Sequence, residues 1–144
     1  MGERQIILWR HGRTSWNAER RFQGQSDIEL DDEGRAQAER AAELLAYLKP
    51  DRIIASDLAR AWATAQALSA RTGVHVTADA RLRETFAGEW EGLSRAELLE
   101  RHGDEVARWA SDSAARPGGG ETRIEVADRV VAAITDGLDE VVES

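Results

Sequence analysis

A cation and an imidazole stand side by side near the start of the chain, directly behind a short apolar run. The run covers residues 5–9 and is predicted to be a buried strand, and Arg10 and His11 follow it. Behind them come a glycine and small polar side chains: Gly12, Thr14, Ser15 and Asn17. A guanidinium fits the oxygens of a phosphate, and a neutral imidazole is a nucleophile near pH 7. We therefore expect this strand exit to bind a phosphate group and to attack it.

A second copy of the same tripeptide shows how much the surroundings matter. Arg101-His102-Gly103 repeats Arg10-His11-Gly12, but two acidic residues and a valine follow it, and nothing strand-like precedes it. The tripeptide alone is therefore weak evidence. The strand, the first tripeptide, Thr14 and Asn17 together indicate a functional site.

The composition indicates one acidic domain with a local basic patch. The 144 residues carry a net charge of -8, which argues against nucleic acid and anionic membranes as partners. Residues 4–22 nevertheless contain five arginines against one acid, Glu19. A basic patch on an acidic body favours a small anionic substrate.

Other features of the sequence exclude several kinds of site and location. The absence of cysteine excludes disulfides and thiolate metal sites. The N-terminus lacks the apolar region of a signal peptide, and no uncharged run approaches the ~18 residues that a membrane span needs. We therefore expect a cytoplasmic protein with no membrane partner.

Strand and helix signals alternate along the chain. Strands are predicted over residues 5–9, 52–55 and 74–77, and helices over 31–48, 57–70, 94–109 and from 121 to the end. Residues 111–120, with one proline and three glycines, are predicted to be a flexible connection. Short apolar strands separated by helices indicate a mostly parallel sheet covered on both faces, which is a three-layer α/β/α fold.

The predicted topology brings three chemically useful segments to one edge of the sheet. His11 follows the first predicted strand, Ser56 and Asp57 follow the second, and Glu84 lies in the loop after the third. Ligands of parallel sheets bind beyond the carboxyl ends of the strands. We expect these side chains to converge there.

Several separate motifs, in a fixed order along the chain, resemble those of the histidine phosphatase superfamily, also called phosphoglycerate mutase-like. The matching stretches are residues 8–17, 23–24, 56–61, 64–65, 82–84, 88–92 and 119–121. They run over nearly the whole chain. The resemblance implies the phosphoglycerate mutase-like fold.

The resemblance also implies a role for each of these positions. His11 is the nucleophile and takes the phosphoryl group as a phosphohistidine. Arg10 and Arg60 bind the phosphate oxygens, and Glu84 protonates the leaving alkoxide. The remaining positions that contact the phosphate or the substrate are Asn17, Gln23 and Gly24.

Other interpretations of these residues stay open on sequence grounds. Glu89 and Glu91 lie in the same loop as Glu84 and compete with it for the role of acid. Asn17 suits a turn as well as a ligand contact. Arg60 lies in the first turn of a predicted helix, where the free N–H groups favour an anion. We expect its side chain to point into solvent-filled space, and a merely solvated helix face is the alternative.

The sequence departs from the family pattern at its C-terminal end. Family members carry a second catalytic histidine in a Ser-His-Gly context, on a strand after the last helix, whereas this sequence stops at Ser144. His75 falls in a predicted strand and His102 in a predicted helix, so neither replaces it. We expect a single histidine phosphatase domain over residues 1–144 that lacks its C-terminal strands and helices. By itself it is expected to form a homo-oligomer.

By resemblance, the expected activity is phosphomonoester hydrolysis on a small phosphorylated metabolite such as a phosphoglycerate derivative. The resemblance also implies that this activity needs neither a metal nor a cofactor. Gln23-Gly24-Gln25 stands where mutases usually have a Gly-Trp pair, and residues 88–92 resemble the phosphatase version of their loop. Two alternatives remain. One is phosphotransfer of the phosphoglycerate mutase type, and the other is a phospholigand-binding module without turnover.

Overall fold

A computed structural model describes residues 3–143 of the chain. Its helices are α1 (Ser15–Ala18), α2 (Asp32–Leu45), α3 (Ala59–Thr72), α4 (Arg95–Ser111) and α5 (Arg123–Glu143). Its strands are β1 (Ile53–Ala55) and β2 (Val76–Ala78). Short 3-10 turns cover Ala46–Leu48, Ala80–Leu82, Gly88–Trp90 and Pro117–Gly119. The alternation of helix and strand confirms the predicted α/β class.

The two strands form a parallel pair. Ile53 lies opposite Val76 and Ala55 lies opposite Ala78. The helix α3 connects them, as a parallel pair requires, so β1, α3 and β2 make one βαβ unit. The carboxyl ends of both strands therefore open toward the same edge.

Helices cover both faces of this pair. Ile53 and Ala55 are buried in a cluster with residues of α2 and α3. Ile54 points the other way, because successive side chains of a strand alternate. It packs so closely on Gly137 of α5 that a Cβ there would overlap its Cδ1 atom. The predicted three-layer α/β/α arrangement is therefore present.

Small side chains set the spacing between α2 and α3. The buried cluster that joins these helices to β1 consists of Ala38, Ala42, Ile53, Ala55, Ala65, Ala67 and Leu68. Alanine side chains are small, so they allow the two helices to approach closely and to pack tightly. The loop that carries His11 is held between these two helices.

The prediction of a buried strand over residues 5–9 is wrong for the described structure. These residues join no sheet, and Ile6 and Leu8 are 54% and 82% exposed. A strand whose residues are apolar on both faces must be packed on both faces. Among the described residues of this run, only Trp9 packs against a buried cluster, the one between α2 and α3.

The third predicted strand is shifted along the chain. β2 begins at Val76, two residues later than predicted, because Gly73 closes α3 in the left-handed conformation and residues 74–75 are needed to re-enter the sheet. His75 therefore precedes the strand instead of lying within it, and its side chain is exposed.

The segment 111–120 is packed, although its composition predicted a flexible connection. Gly118 and Gly120 lie directly on the backbone of Ala87 and Phe86, where a Cβ on either glycine would overlap a carbonyl oxygen. Pro117 is buried beside them. Here the glycines serve a close backbone approach and not chain flexibility.

Within residues 3–143, no helix has both the length and the apolar character that a membrane crossing requires.

Candidate active site

The loop that carries His11 is fixed by backbone contacts to two helices. The N–H of Gly12 donates a hydrogen bond of 3.1 Å to Oγ1 of Thr64 on α3, and that hydroxyl donates to the carbonyl oxygen of Arg60. On the other side, Gly12 lies against the backbone of Gly34 in α2, and a Cβ on either glycine would overlap the opposing segment. The position of His11 is therefore set by α2 and α3.

The polar residues after this loop build a capped turn. Thr14, which is fully buried, caps α1 by accepting a 3.1 Å hydrogen bond from the N–H of Asn17. The Oδ1 atom of Asn17 accepts from the N–H of Thr14 at 3.0 Å, which completes a capping box. The Thr14 hydroxyl also donates to Oε1 of Gln23 at 2.5 Å. The side-chain oxygens of Asn17 and Gln23 thus both accept hydrogen bonds from Thr14. This supports the interpretation of Asn17 as a turn residue.

The imidazole of His11 is held in one tautomer. Its Nδ1 atom lies 2.6 Å from the carbonyl oxygen of Gly12. A carbonyl oxygen only accepts, so Nδ1 must carry the hydrogen and Nε2 keeps a lone pair while the ring is neutral. Burial lowers the pKa of His11 below its ordinary value of 6.5, and the charges of Arg60 and Arg10 lower it further, against the raising effects of the Gly12 carbonyl and Glu84. The ring is therefore neutral near pH 7.

A pocket of about 240 Å³ opens at the carboxyl end of β1. It is lined by His11, Ser56, Leu58, Arg60, Ala61, Leu82, Arg83 and Glu84. His11, the segment after β1 and the loop after β2 thus meet at one edge, as the topology predicted. Two guanidinium groups, one imidazole and one carboxyl group surround this space.

Arg60 lies in a different environment from the one that the sequence predicted. Its side chain is buried, with 2% exposed, and does not point into open solvent. Its guanidinium donates to the carbonyl oxygens of Ser26 at 2.7 Å and of Gly24 at 2.6 Å. The reason is local, because Gly24 takes a positive φ of 55° that turns the loop over the start of α3. Arg60 therefore holds this loop in addition to lining the pocket.

Glu91 organises the same loop from the opposite side. Its carboxylate accepts hydrogen bonds from the N–H of Gln25 at 3.1 Å, the hydroxyl of Ser26 at 2.6 Å and the N–H of Ala87 at 3.0 Å. It also packs on Gly24 so closely that a Cβ at that position would overlap it. The Glu91 carboxylate is thus occupied by the protein itself.

The three loop carboxyl groups that competed for one role lie in different places. Glu84 lines the pocket and its side chain is exposed, with Oε1 accepting a 2.8 Å hydrogen bond from the N–H of Thr85. Glu89 is exposed and lies outside the pocket lining, and Glu91 is engaged by backbone groups. Among these three, Glu84 is the carboxyl group that a ligand in the pocket can reach.

Arg83 and Asp57 form an ion pair at the pocket edge. Nε of Arg83 lies 2.7 Å from Oδ1 of Asp57, and Nη2 lies 2.5 Å from Oδ2. The two hydrogen bonds from the Arg83 guanidinium hold the pKa of Asp57 below its ordinary value. This pair joins the segment before Glu84 to the start of α3.

The remaining predicted positions do not line the pocket. Arg10 is exposed, and within residues 3–143 its guanidinium makes no hydrogen bond or ion pair. Asn17, Gln23 and Gly24 also lie outside the lining. Sequence reasoning assigned no supporting role to the Thr64 hydroxyl, the Asp57–Arg83 pair, Glu121 or Arg129. The first four of these residues lie within the family-like motifs, but their contacts are distant in sequence, so no local pattern shows what they bind. Arg129 lies in no such motif.

No group of three histidine, aspartate or glutamate side chains in the described part of the chain is arranged to hold a metal ion.

A model of the histidine phosphatase superfamily (branch 1) matches residues 6–142. The chain belongs to this superfamily. The resemblance inferred from the separated motifs is thereby confirmed. The pocket described above is formed within the matched residues.

Relatives with assigned names include phosphatases and mutase-like proteins. The chain is 46% identical to the glucosyl-3-phosphoglycerate phosphatase of Mycolicibacterium vanbaalenii, over 90% of this chain and 57% of that protein. It is 40% identical to phosphoglycerate mutase-like protein 4 of Arabidopsis thaliana, over 90% of this chain and 58% of that one. This histidine phosphatase chain thus spans somewhat more than half the length of the curated relatives that it matches.

Solved structures share the fold. A mycobacterial glucosyl-3-phosphoglycerate phosphatase in complex with VO3 superposes with a TM-score of 0.84 at 43% identity. The superposition covers 90% of this chain and 64% of that one. The histidine phosphatase fold is therefore shared over 90% of this chain.

Proposed function

We propose that the chain carries the nucleophilic half of a phosphomonoester hydrolase site that works through a phosphohistidine on His11. The observation that carries this proposal is the neutral imidazole with a lone pair on Nε2, in a pocket that also holds Arg60 and Glu84. A nucleophile, a fixed cation and a carboxyl group are the components that phosphoryl transfer to an enzyme needs.

In the first step, Nε2 of His11 attacks the phosphorus atom and the ester P–O bond breaks. The negative charge on the transferring phosphoryl oxygens is offset by Arg60 and by Arg10, whose charge also acts on His11. The bond from Nδ1 to the Gly12 carbonyl stabilises the positive charge that develops on the ring. Glu84 donates its proton to the leaving alkoxide oxygen, and the alcohol is released.

In the second step, water attacks the phosphorus atom of the phosphohistidine. The P–N bond breaks, inorganic phosphate leaves, and the lone pair returns to Nε2. Glu84, now a carboxylate, accepts the proton of the attacking water, which restores both groups to their starting states. No metal or cofactor takes part in either step.

A phosphorylated three-carbon acid, free or linked to a sugar, is the substrate class that we propose. The pocket is small and bears two guanidinium groups, those of Arg60 and Arg83, on an acidic protein, which suits a compact anion. The relative at 46% identity is named for a phosphoglycerate derivative of this kind. Relatives at 40% identity are named phosphoglycerate mutase or mutase-like, and this favours phosphotransfer between hydroxyl groups as the second candidate activity.

The experiment compares glucosyl-3-phosphoglycerate, 3-phosphoglycerate and p-nitrophenyl phosphate with the full gene product that carries this sequence. Hydrolysis releases inorganic phosphate from the first substrate with the highest kcat/KM. A mutase instead isomerises 3-phosphoglycerate without net phosphate release, and a binding module does neither. His11→Ala is the control for background hydrolysis. A cytoplasmic location and a homo-oligomer stay predictions, which fractionation and light scattering test.

A further inference from the structure

Arg129 of α5 lies outside the pocket lining, yet it uses every donor of its guanidinium group. Nη1 donates to the carbonyl oxygens of Arg81 at 2.7 Å and of Arg83 at 2.6 Å. Nη2 donates to the carbonyl oxygen of Glu84 at 3.0 Å and to Oε1 of Glu121 at 2.9 Å. Nε donates to Oε2 of Glu121 at 2.8 Å. A guanidinium has five N–H donors, so this group is fully satisfied.

The segment that Arg129 binds has little regular structure of its own. β2 ends at Ala78, a single 3-10 turn covers Ala80–Leu82, and residues 83–87 belong to neither helix nor strand. A backbone outside regular structure needs other partners for its carbonyl groups. Three of the four carbonyl groups of residues 81–84, those of Arg81, Arg83 and Glu84, accept hydrogen bonds from this one side chain of α5. The place of Glu84 is therefore set largely by α5.

Glu121 extends the same support to the other side of Glu84. Its Oε1 atom accepts a 2.8 Å hydrogen bond from the N–H of Phe86 and lies 3.3 Å from Nε2 of Gln25. The hydrogen bonds from Arg129 hold the pKa of Glu121 below its ordinary value, so it stays charged near pH 7. The ion pair thus fixes the backbone before and after Glu84 at the same time.

We propose that Arg129, through its pair with Glu121, is a positioning residue that sets the Glu84 carboxyl group at the leaving-group oxygen. This inference rests on the proposed function, in which Glu84 donates the proton. Arg129 does not touch the substrate. Its effect on the rate therefore passes through Glu84 and depends on how much the leaving group needs a proton.

Arg129→Lys keeps the charge but cannot reach all five acceptors. A displacement of about 1 Å at a reacting group costs up to about 10²-fold in rate. We expect kcat for an alkyl phosphate to fall roughly 10–10²-fold while KM changes less than about threefold, because the phosphate contacts of Arg60 remain. For p-nitrophenyl phosphate, whose leaving group needs no proton, we expect a loss of less than about threefold. Arg129→Ala should show the same pattern more strongly.

Asp136→Asn is the matched control. Asp136 lies on α5 and forms an ion pair with Arg81 of the same 3-10 turn, with Nη1 and Oδ2 2.8 Å apart. It contacts none of the carbonyl groups that Arg129 binds. We expect its kcat on both substrates to stay at the level of the unmodified protein. A control that loses as much as Arg129→Lys would show that any link between α5 and this turn matters, and would overturn the specific role of Arg129.

The double variant Arg129→Lys with Glu84→Gln separates positioning from general stability. If Arg129 acts through Glu84, the double variant is no slower on the alkyl phosphate than Glu84→Gln alone. Multiplying losses, or equal losses of Arg129→Lys on both substrates, would overturn the proposal. If Arg129→Ala does not fold, Arg129→Lys carries the test by itself.

Hydrogen exchange gives a readout that does not depend on turnover. In Arg129→Lys the amides of Thr85 and Phe86 should exchange faster than in the unmodified protein, while those of α3 stay protected. Unchanged exchange at both amides would overturn the positioning role. If exchange rises as expected but Glu84→Gln retains full activity, the turn is held as proposed and it is the proton-donor role of Glu84 that has failed.

Discussion

The guanidinium of Arg60 donates a 2.6 Å hydrogen bond to the carbonyl oxygen of Gly24, so this cation is bound to the protein's own loop. A second hydrogen bond to Ser26 leaves it fixed at the pocket wall. Because this positive charge is fixed before the ligand binds, it needs no reorganisation to stabilise the negative charge of a phosphoryl group. The same two bonds make Arg60 a structural residue.

Arg60→Ala should therefore lower both activity and stability. We expect kcat/KM to fall about 10²–10³-fold, as for loss of one preorganised group. The free energy of unfolding should fall by about 2–4 kcal/mol, because one buried and one partly buried carbonyl group lose their donors. Enzyme assays and urea unfolding measure the two effects. Arg40→Ala, which removes an exposed helix arginine paired with Glu33, should change neither. Full stability of Arg60→Ala would contradict the loop-holding role.

In the pH profile of kcat/KM, the loss of activity at acid pH (the acid limb) should have its midpoint below pH 6.5. Burial lowers the pKa of His11 from that ordinary value, and only the neutral ring attacks phosphorus. The unfolded chain binds this proton more readily than the folded one, so His11 makes the protein less stable as pH falls from 6.5 through the folded-state pKa. Arg10→Gln removes one of the charges that lower the pKa and should move the acid limb to higher pH. An acid limb that stays in place would exclude this coupling.

Glu91→Gln should impair the site although Glu91 does not line the pocket. The neutral amide offers one acceptor oxygen in place of two, whereas the present carboxylate serves Gln25, Ser26 and Ala87. We expect a loss of about 1–3 kcal/mol in stability and roughly a tenfold loss in kcat/KM, since the loop that holds Arg60 loosens. Glu89→Gln, an exposed change in the same turn, is the control and should alter neither quantity. Equal effects of the two variants would count against the role of Glu91.

Gly120→Ala should destabilise the protein strongly, because its Cβ would overlap the carbonyl oxygen of Phe86. The backbone beside Glu84 must then shift, and we expect a loss of about 2–4 kcal/mol and reduced turnover. Gly103→Ala is the matched control, with no atom near its Cβ and a position directly after the kink of α4 at His102. It should change the free energy of unfolding by less than about 1 kcal/mol. Thermal melting of both variants decides the point, and a harmless Gly120→Ala would refute the close packing.

The sequence predicts the parts of this fold that local signals control. Helices are predicted to begin at residues 31 and 94, and Asp31 and Ser94 are the N-caps of α2 and α4. The predicted βαβ order brings Ser56 and Glu84 to one pocket, which His11 also lines. What local signals could not predict depends on distant partners. The apolar residues 5–9 have few packing partners among the described residues, so their pattern wrongly predicted a buried strand.

The position of Arg60 in its helix predicts a solvent-exposed side chain. That prediction is wrong because the position alone does not show which loop folds over the residue. The glycines of residues 118–120 predicted a flexible connection, because composition cannot distinguish a free backbone from one in close contact. Arg129 carries no sequence signal, since the backbone carbonyl groups that it binds lie 45 to 48 residues away. The supports of the site are thus tertiary, whereas its chemical groups are local.

The most direct test of the phosphohistidine mechanism is to trap the intermediate in the full gene product. The protein is mixed with substrate, quenched within one turnover and digested under conditions that preserve acid-labile phosphate. Mass spectrometry should find one phosphoryl group on the peptide that contains His11, and His11→Ala should carry none and should not turn over. Undiminished turnover in His11→Ala, or label on another residue, would contradict the mechanism.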